Sequence, residues 1–416
     1  MIKKRQRLTG IFFLLAALLL STAIPAAAMD VTDKFEFSGF ARIAAGFLDH
    51  PDRNLEGYSN DISATEQSLI AIQPTYHFTD SLSLTGQLLA HSNSERDSGV
   101  EWLYLSYRPD NAWHIRAGKL RMPFFYYSDS IDVGYSYPWI TAPLQVYNNY
   151  LFTTFNGIST SYFYSGRGFG LYLEGYYGSY EGDLYYAGGK IDVDARLDDM
   201  AGIVAMLQRN NIALRLSYHT GYNRTTIPQL QPLISTLRQY GFNESADTLG
   251  SDGRVRTVQA SLSYDTLNSF YRAEWVDTRT QFDLASNFSG YYVMAGRNIH
   301  DWSVFLTFAG TEYKDIRPAQ ELPAPNLPPQ SQLDQLSLAY YSVFERTPNG
   351  TINSLSLGTR WDFRPQMALK AEIGYYEENA ERSGYFSTPT SSEYLNGGSS
   401  SKESATLYQI GWEWIF

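Results

Sequence analysis

The sequence predicts an all-β fold, a transmembrane antiparallel β-barrel of about sixteen strands with short turns at one end and long loops at the other. Three observations predict it. The chain opens with an export signal, its composition is rich in aromatics and empty of cysteine, and period-two alternation recurs in segments of about ten residues, the length of a tilted membrane strand.

The export signal comes first along the chain. Lys3, Lys4, Arg5 and Arg7 precede the apolar run Ile11 to Leu20 and the small-residue box Ala26-Ala27-Ala28, before Met29-Asp30. Basic, then apolar, then small is the order of a cleaved secretory signal. Residues 1–28 are therefore expected to be the signal peptide and 29–416 the barrel, as a single domain. The apolar run is about half of the roughly 20 residues a spanning helix needs, and Pro25 breaks the stretch beyond it. No later stretch approaches that length, which excludes a helical membrane protein.

Composition narrows the class further. The chain holds 33 Tyr, 23 Phe and 8 Trp, against 6 His and no Cys. Without cysteine there is no disulfide scaffold, although an oxidising compartment would permit one, so stability must come from backbone hydrogen bonds and packing. The formal net charge of −11 falls to −15 once the four signal cations are removed. A nucleic-acid partner is excluded on that ground, because phosphate binding needs a basic face.

Alternation places strands over 35–47, 66–78, 81–92, 100–108, 112–120, 153–165, 168–180, 197–208, 212–222, 254–265, 269–280, 290–298, 301–313, 351–363, 366–378 and 403–416. Turn chemistry at Thr79-Asp80, Pro109-Asp110-Asn111, Gly166-Arg167, Asn210-Asn211, Leu267-Asn268, Ile299-His300 and Arg364-Pro365 joins seven pairs as short hairpins. Both ends of the chain then fall on the short-turn side, the periplasmic side of such barrels, as an even strand number requires. The connections 49–65, 121–152, 181–196, 223–253, 314–350 and 377–402 become the outward loops. Helical spacing of Leu230, Leu233, Ile234 and Leu237 predicts a short amphipathic helix within 228–242, and 332–344 carries a second.

Polarity against alternation distinguishes a membrane barrel, apolar outside and polar within, from a soluble one around a core. Ile212, Leu214, Leu216 and Tyr218 share one face of a strand, and Arg215, Ser217 and His219 the other. Met367, Leu369, Ala371, Ile373 and Tyr375 likewise oppose Lys370 and Glu372. The same phase sends Glu36, Arg42, Gln87, His91, Arg116, Glu174, Arg272, Glu274, Arg360 and Asp362 inward. A soluble sandwich or propeller is the alternative; against a propeller, no repeat of 40–50 residues appears.

At the C-terminus, Tyr408, Ile410, Trp412, Trp414 and Phe416 alternate with Gln409, Gly411, Glu413 and Ile415. On a soluble edge strand this face would be an aggregation hazard, whereas in lipid it is an aromatic girdle. The segment also resembles the C-terminal signature of outer-membrane barrels, which the barrel-assembly machinery reads. The connection after the fifth strand, 121–152, differs from the other loops. From Arg121-Met122-Pro123-Phe124-Phe125-Tyr126-Tyr127 through Tyr135, Tyr137 and Trp139 it is dense in aromatics, so it should pack against something rather than stand in water.

Here the sequence resembles the sixteen-stranded bacterial porins, whose third external loop folds into the barrel and narrows it. Ile115-Arg116-Ala117-Gly118-Lys119-Leu120-Arg121-Met122-Pro123 through Tyr147 is similar to a subgroup of proteobacterial porin-like proteins. The resemblance implies a homotrimer with one pore per subunit, in contact with outer-membrane lipid and lipopolysaccharide. It also implies acids on the loop, Asp129 and Asp132 with Tyr126, Tyr127 and Tyr135 beside them, facing wall cations at Arg42, Arg116, Lys119 and Arg121. Arg215, Arg360, Lys370 and Glu372 complete the expected pore wall. The loop tip departs from the family's acidic, glycine-containing pattern, having more Tyr and two acids.

The implied function is a water-filled channel for passive diffusion of small hydrophilic solutes and ions. A substrate-specific channel for sugars or aromatic solutes, using the Tyr-rich loop as a track, stays open beside it, as does a plugged, adhesive barrel. Catalysis finds little support: the six His stand apart, and neither a G-x-S-x-G elbow nor an H-E-x-x-H pattern occurs. Gly166 to Gly170 joins two strands and opens no phosphate-binding helix, and Asp192, Asp194, Asp198 and Asp199 read as solvated loop charge rather than a metal site. No cofactor is expected.

Overall fold

The computed structural model describes residues 34–94, 96–147, 151–166, 168–186, 189–314, 316, 318–344, 349–380, 385–386 and 401–416. The expected signal peptide lies outside the described residues. Sixteen strands form one closed antiparallel barrel. In order they are β1 Phe35–Asp49, β2 Leu69–His77, β3 Leu82–His91, β4 Gly99–Tyr107, β5 Trp113–Arg121, β6 Thr154–Gly166, β7 Phe169–Tyr186 and β8 Gly189–Arg209. Then come β9 Ile212–Asn223, β10 Gly253–Asp265, β11 Ser269–Thr280, β12 Phe288–Ile299, β13 Trp302–Tyr313, β14 Gly350–Arg364, β15 Met367–Ala380 and β16 Ser401–Ile415.

Each strand pairs with its neighbour in sequence, and β16 closes on β1 from Phe40↔Ile415 to Asp49↔Thr406. Gly39 and Phe416 exchange both backbone hydrogen bonds at the closing rung, at 2.8 and 2.9 Å. The short turns fall where turn chemistry places them. Asn210, His300 and Gln366 adopt φ of 50°, 56° and 66°, the left-handed geometry that tight hairpins require.

The two faces sort as alternation predicts. On β9, Ile212, Leu214, Leu216 and Tyr218 are exposed, while Arg215, Ser217 and His219 are buried. Leu355 and Leu357 on β14, Ile373 and Tyr375 on β15, and Val304, Leu306 and Phe308 on β13 continue the outward belt. Towards the short turns that belt ends in rings such as Tyr107, Trp113, Tyr264, Tyr271 and Trp302, and the Trp302 indole stacks on Trp361 at 5.1 Å. Met367 departs from its expected outward place: it opens β15 opposite Arg364 and Trp414, beside a register shift, and is buried.

One expected loop is not a loop. Over 181–186 and 189–196 the described residues form ladder with a register shift between Gly182 and Leu184, with Leu184↔Ile191 and Tyr185↔Lys190 paired, so β7 and β8 extend beyond their expected ends. Its acidic residues hid that extension from a hydrophobicity reading. Asp198 there is held by Arg196 and Arg224 at 3.2 and 3.1 Å, and Asp199 accepts the Tyr177 hydroxyl at 2.7 Å.

Both expected loop helices form, Gln231–Gln239 and Gln332–Phe344, with a further short one at Asn243–Thr248. They pack together through Leu237, Ala246, Leu249, Tyr340 and Phe344. Asp334 anchors the second helix. Its carboxylate accepts the backbone N–H groups of Asn326, Gln330 and Ser331 at 3.2, 3.1 and 3.0 Å, and the Ser331 Oγ caps Asp334 N in return. The Asn326 N–H and the Ser331 hydroxyl hold this carboxyl below its ordinary value. A depressed carboxyl stabilises the fold above its unfolded pKa and loses that contribution as pH falls through the folded value. We expect 318–344 to become protease-sensitive in Asp334→Ala at neutral pH, and in the native chain only below the ordinary Asp value of about 3.9. Limited proteolysis across a pH series checks both.

Candidate functional site inside the barrel

The chain leaves β5 at Arg121, crosses the interior and returns at β6. Among its described residues the backbone lacks regular structure apart from single turns at Ser128–Ser130, Gly134–Ser136 and Leu144–Tyr147. Such a segment carries backbone groups that need partners, and the inner face of β9–β16 supplies them. The Lys370 Nζ donates to the carbonyls of Gly134, Tyr137 and Trp139 at 2.7, 2.9 and 2.7 Å. Arg360 donates to Tyr135 O at 2.6 Å, and Arg215 to Pro123 O at 2.6 Å. Glu274 accepts from Tyr126 N at 2.8 Å and from the Tyr147 hydroxyl at 2.7 Å, while Glu372 accepts from Ile140 N at 3.2 Å.

Apolar packing completes the docking. Met122, Phe125, Tyr127, Tyr137, Trp139, Val146 and Tyr147 are buried against Val276, Tyr292, Met294, Phe305 and Ile352 of the wall. The Trp139 Nε1 reaches Thr307 at 2.8 Å. Two glycines permit the close approach. A Cβ at Gly134 would strike the Glu413 carboxylate, and one at Gly290 would strike the Gln145 carbonyl.

Arg215, Lys370 and Glu372 are therefore buried beneath the loop, with Arg360 partly so, rather than standing in open water. Tyr127 and Tyr137 belong to the packed core, and the Arg360 guanidinium lies 4.4 Å over the Tyr135 ring. Arg42 pairs with Glu413 at 3.0 Å and donates to the Tyr137 hydroxyl at 2.6 Å, and Arg116 pairs with Glu174 at 2.6 Å. Lys119 donates to Val100 O at 2.7 Å.

Of the expected loop-acid and wall-cation partners, Asp132 and Arg121 meet directly. The Arg121 guanidinium bridges Asp132 at 2.5 Å and Glu101 at 2.9 Å, and stands 4.8 Å over the Trp102 ring. Burial alone would raise the Asp132 carboxyl, but Arg121, His91 and Arg96 together hold the group below its ordinary value. Glu101, Trp102 and Glu413 were not singled out from the sequence. Glu413 sits on the polar face of the last strand and Trp102 on the same face as Tyr104 and Ser106, signals that were present; Glu101 turns inward at a register shift after Gln87, which alternation cannot reveal.

On this side of the loop, facing β2–β5, the interior is open. Towards the long loops a chamber of about 390 Å³ is lined by His91, Arg96, Glu101, Lys119, Asp132 and Tyr180, among others. Towards the short turns a second, of about 470 Å³, is lined by Gln73, Gln87, Trp102, Tyr104, Arg116, Arg121 and Asp129, among others. The Arg121 clasp stands between them.

A closed sixteen-stranded barrel, apolar outside, with a charged interior narrowed by an inward loop, has the architecture of outer-membrane barrels. No family model and no curated protein matches the chain. Solved structures match its fold. The anion-selective porin from Comamonas acidovorans is 12% identical with a TM-score of 0.55, covering 92% of this chain and 99% of that one. The outer membrane channel DcaP of Acinetobacter baumannii is 10% identical with a TM-score of 0.51, covering 94% and 100%. OmpT, an outer membrane protein of Vibrio cholerae in a trimer form, is 12% identical with a TM-score of 0.51, covering 92% and 99%.

Replacing Lys370 by Met leaves three buried loop carbonyls without their donor. At about 1–3 kcal/mol for each unsatisfied group, the docking should weaken by about 3 kcal/mol or more. We expect a lower thermal midpoint in detergent and new protease cleavage within 121–152; an unchanged midpoint and cleavage pattern would show that apolar packing alone holds the loop.

Proposed function

We propose that this chain is an outer-membrane channel that passes small hydrophilic solutes and ions by passive diffusion. The observation that carries the reading is the pair of polar chambers on opposite sides of the Arg121–Asp132 clasp, on the side of the barrel the loop leaves open. Barrels of sixteen to eighteen strands are wide enough to enclose an aqueous path, and here the loop confines that path to the β2–β5 side. Asp129, Asp132, Arg116 and Arg121 line the narrow region, where fixed charges of both signs orient dipolar solutes. The upper chamber carries Asp97, Glu101, Asp132, Glu181 and Asp183 against Arg96 and Lys119, which favours entry of cations.

In this reading residues 1–28 are removed on export, three copies assemble as the solved trimer does, and the C-terminal residues Tyr408 to Phe416 are the segment read during barrel assembly. The outward aromatic belt meets lipid and lipopolysaccharide. A non-enzymatic role fits the two serine–histidine contacts among the described residues. Ser106 and His114 lie 2.7 Å apart, and among the described residues no carboxylate hydrogen-bonds the His114 ring. Ser217 and His219 lie 2.8 Å apart, but both are buried under Phe124, and the second ring nitrogen meets the Tyr176 hydroxyl at 2.8 Å rather than a carboxylate.

Planar bilayer recording of the mature protein tests the proposal. We expect stepwise openings, a reversal potential in a salt gradient that favours cations, and a higher single-channel conductance when Arg121→Ala removes the clasp. A folded barrel without conductance would defeat the channel reading, and an unchanged conductance in Arg121→Ala would move the narrow point elsewhere.

A further inference from the structure

Above the apolar belt the outer wall carries arginines that its own acids do not match. From the short turns upward, the outward positions of β10 are Tyr264, Leu262, Ala260, Val258, Arg256 and Arg254, and those of β11 are Tyr271, Ala273, Trp275, Asp277 and Arg279. Arg256 stands directly opposite Arg279, one outward rung above Val258 and Asp277. Like charges directly opposite on one sheet face repel. Arg279 has an acid, Asp277 at 2.8 Å. Arg256 is exposed, and among the described residues its side chain has neither hydrogen bond nor ion pair. Two more arginines close on the same place. Arg254 reaches the Thr220 hydroxyl at 3.4 Å, and Thr220 is the neighbour of Arg256 on β9. Arg224 lies 5.1 Å over the ring of Tyr222, the neighbour of Arg254, and shares its acid, Asp198, with Arg196. The nearby acids have other places: Glu181 faces Arg196 across the β7–β8 ladder, and Asp252 and Asp283 line a cavity among the loops with Arg238.

Chemistry and height together define what offsets this repulsion. A guanidinium presents a planar fork that takes phosphate through two parallel hydrogen bonds, so opposed arginines with one acid between them suit a phosphate. Two residues of strand span about 7 Å, which sets the Arg256–Arg279 rung about 7 Å of strand above Val258. Tyr218, Val258 and Trp275 are exposed there as the upper end of the belt, the level at which hydrocarbon gives way to lipid headgroups. Basic clusters at that level attract anionic headgroups, and the apolar wall beneath them suits acyl chains, for which a free anion has no use. We propose that the outward face of β9–β11, on the long-loop side, binds the phosphate of an anionic lipid of the outer leaflet. Arg224, Arg254, Arg256 and Arg279 clamp the phosphate, and the acyl chains lie against Tyr218, Val258 and Trp275. The proposal rests on the outer-membrane placement of the reading above and not on conduction, and it gives the lipid partner a definite seat.

Native mass spectrometry and thermal unfolding of the mature protein in an uncharged detergent test the site. Diphosphoryl lipid A is titrated in mixed micelles, with phosphatidylcholine and inorganic phosphate as separate comparisons. Lipid A should bind saturably and raise the thermal midpoint, and the other two should do neither. Arg256→Gln and Arg279→Gln should each weaken lipid A binding about fivefold, and together about thirtyfold, the scale of one cation apiece at an anionic lipid surface. Arg209→Gln makes the same charge change on the outward face at the short-turn end of β8, opposite Ile212, and should leave binding unchanged. Without lipid and at low salt, Arg256→Gln should raise the midpoint, because it relieves the repulsion across the rung. A midpoint lowered by Arg256→Gln at unchanged lipid binding would make the arginines structural and overturn the site. Inorganic phosphate bound as tightly as lipid A would overturn the lipid as its source, and lipid A bound equally by every variant would place it elsewhere on the belt. A chain that conducts but binds no lipid A would lose the site and keep the channel, whereas arginine-dependent lipid binding by a barrel that does not conduct would uphold the site and defeat the channel.

Discussion

Hydrocarbon offers no water to a backbone N–H or C=O, and that constraint shapes the whole molecule. A sheet can meet it only by having no edge, which is why the ladder between β1 and β16 matters beyond its length. Phe416 and Gly39 exchange hydrogen bonds at the seam, and further along it Arg42 and Glu413 pair on the inner side. Closure fixes which residues of each strand face lipid and which face inward. A slip of one residue would exchange the two sets.

Within the barrel the same need recurs in another form. The described part of the segment 121–152 bonds to itself through single turns, and wall side chains stand in for the missing ladder. Lys370, Arg360 and Arg215 serve as donors to its carbonyls, and Glu274 and Glu372 as acceptors for its N–H groups. Charges that alternation assigns to a wet interior thus act as backbone partners. All of them lie on β9–β15, whereas towards β2–β5 the loop touches the wall at Val133 and Asp132 and leaves polar chambers above and below.

Much of this was legible in the sequence. Strand existence, the seven tight turns and the outward face of β9 come from period-two patterning and turn chemistry, because lipid on one side and water or polar packing on the other impose a strong contrast. The helices at 231–239 and 332–344 announced themselves through spacing. The hairpin over 181–196 did not, since above the membrane a strand keeps its ladder without needing an apolar face. The partners of individual charges were also hidden. Arg42 with Glu413, or Arg121 with Glu101, depends on register and on a shift in the β3–β4 ladder, neither of which a single strand's pattern encodes. The resemblance to porins located the loop, whereas the half of the wall that grips it emerged only from the three-dimensional structure.

The position of that grip along the chain has a kinetic consequence. The aromatic segment leaves β5, yet its anchors lie on strands made much later; Lys370 is 236 residues beyond Gly134, and Glu274 is 148 beyond Tyr126. Contacts of such sequence separation form slowly because they must first overcome chain entropy. Until β9–β16 are in place, Phe125, Tyr137, Trp139 and their neighbours have no wall to cover them, and the half-built sheet exposes an adhesive surface. The settling of the loop must then wait on the pairing of the strands that grip it.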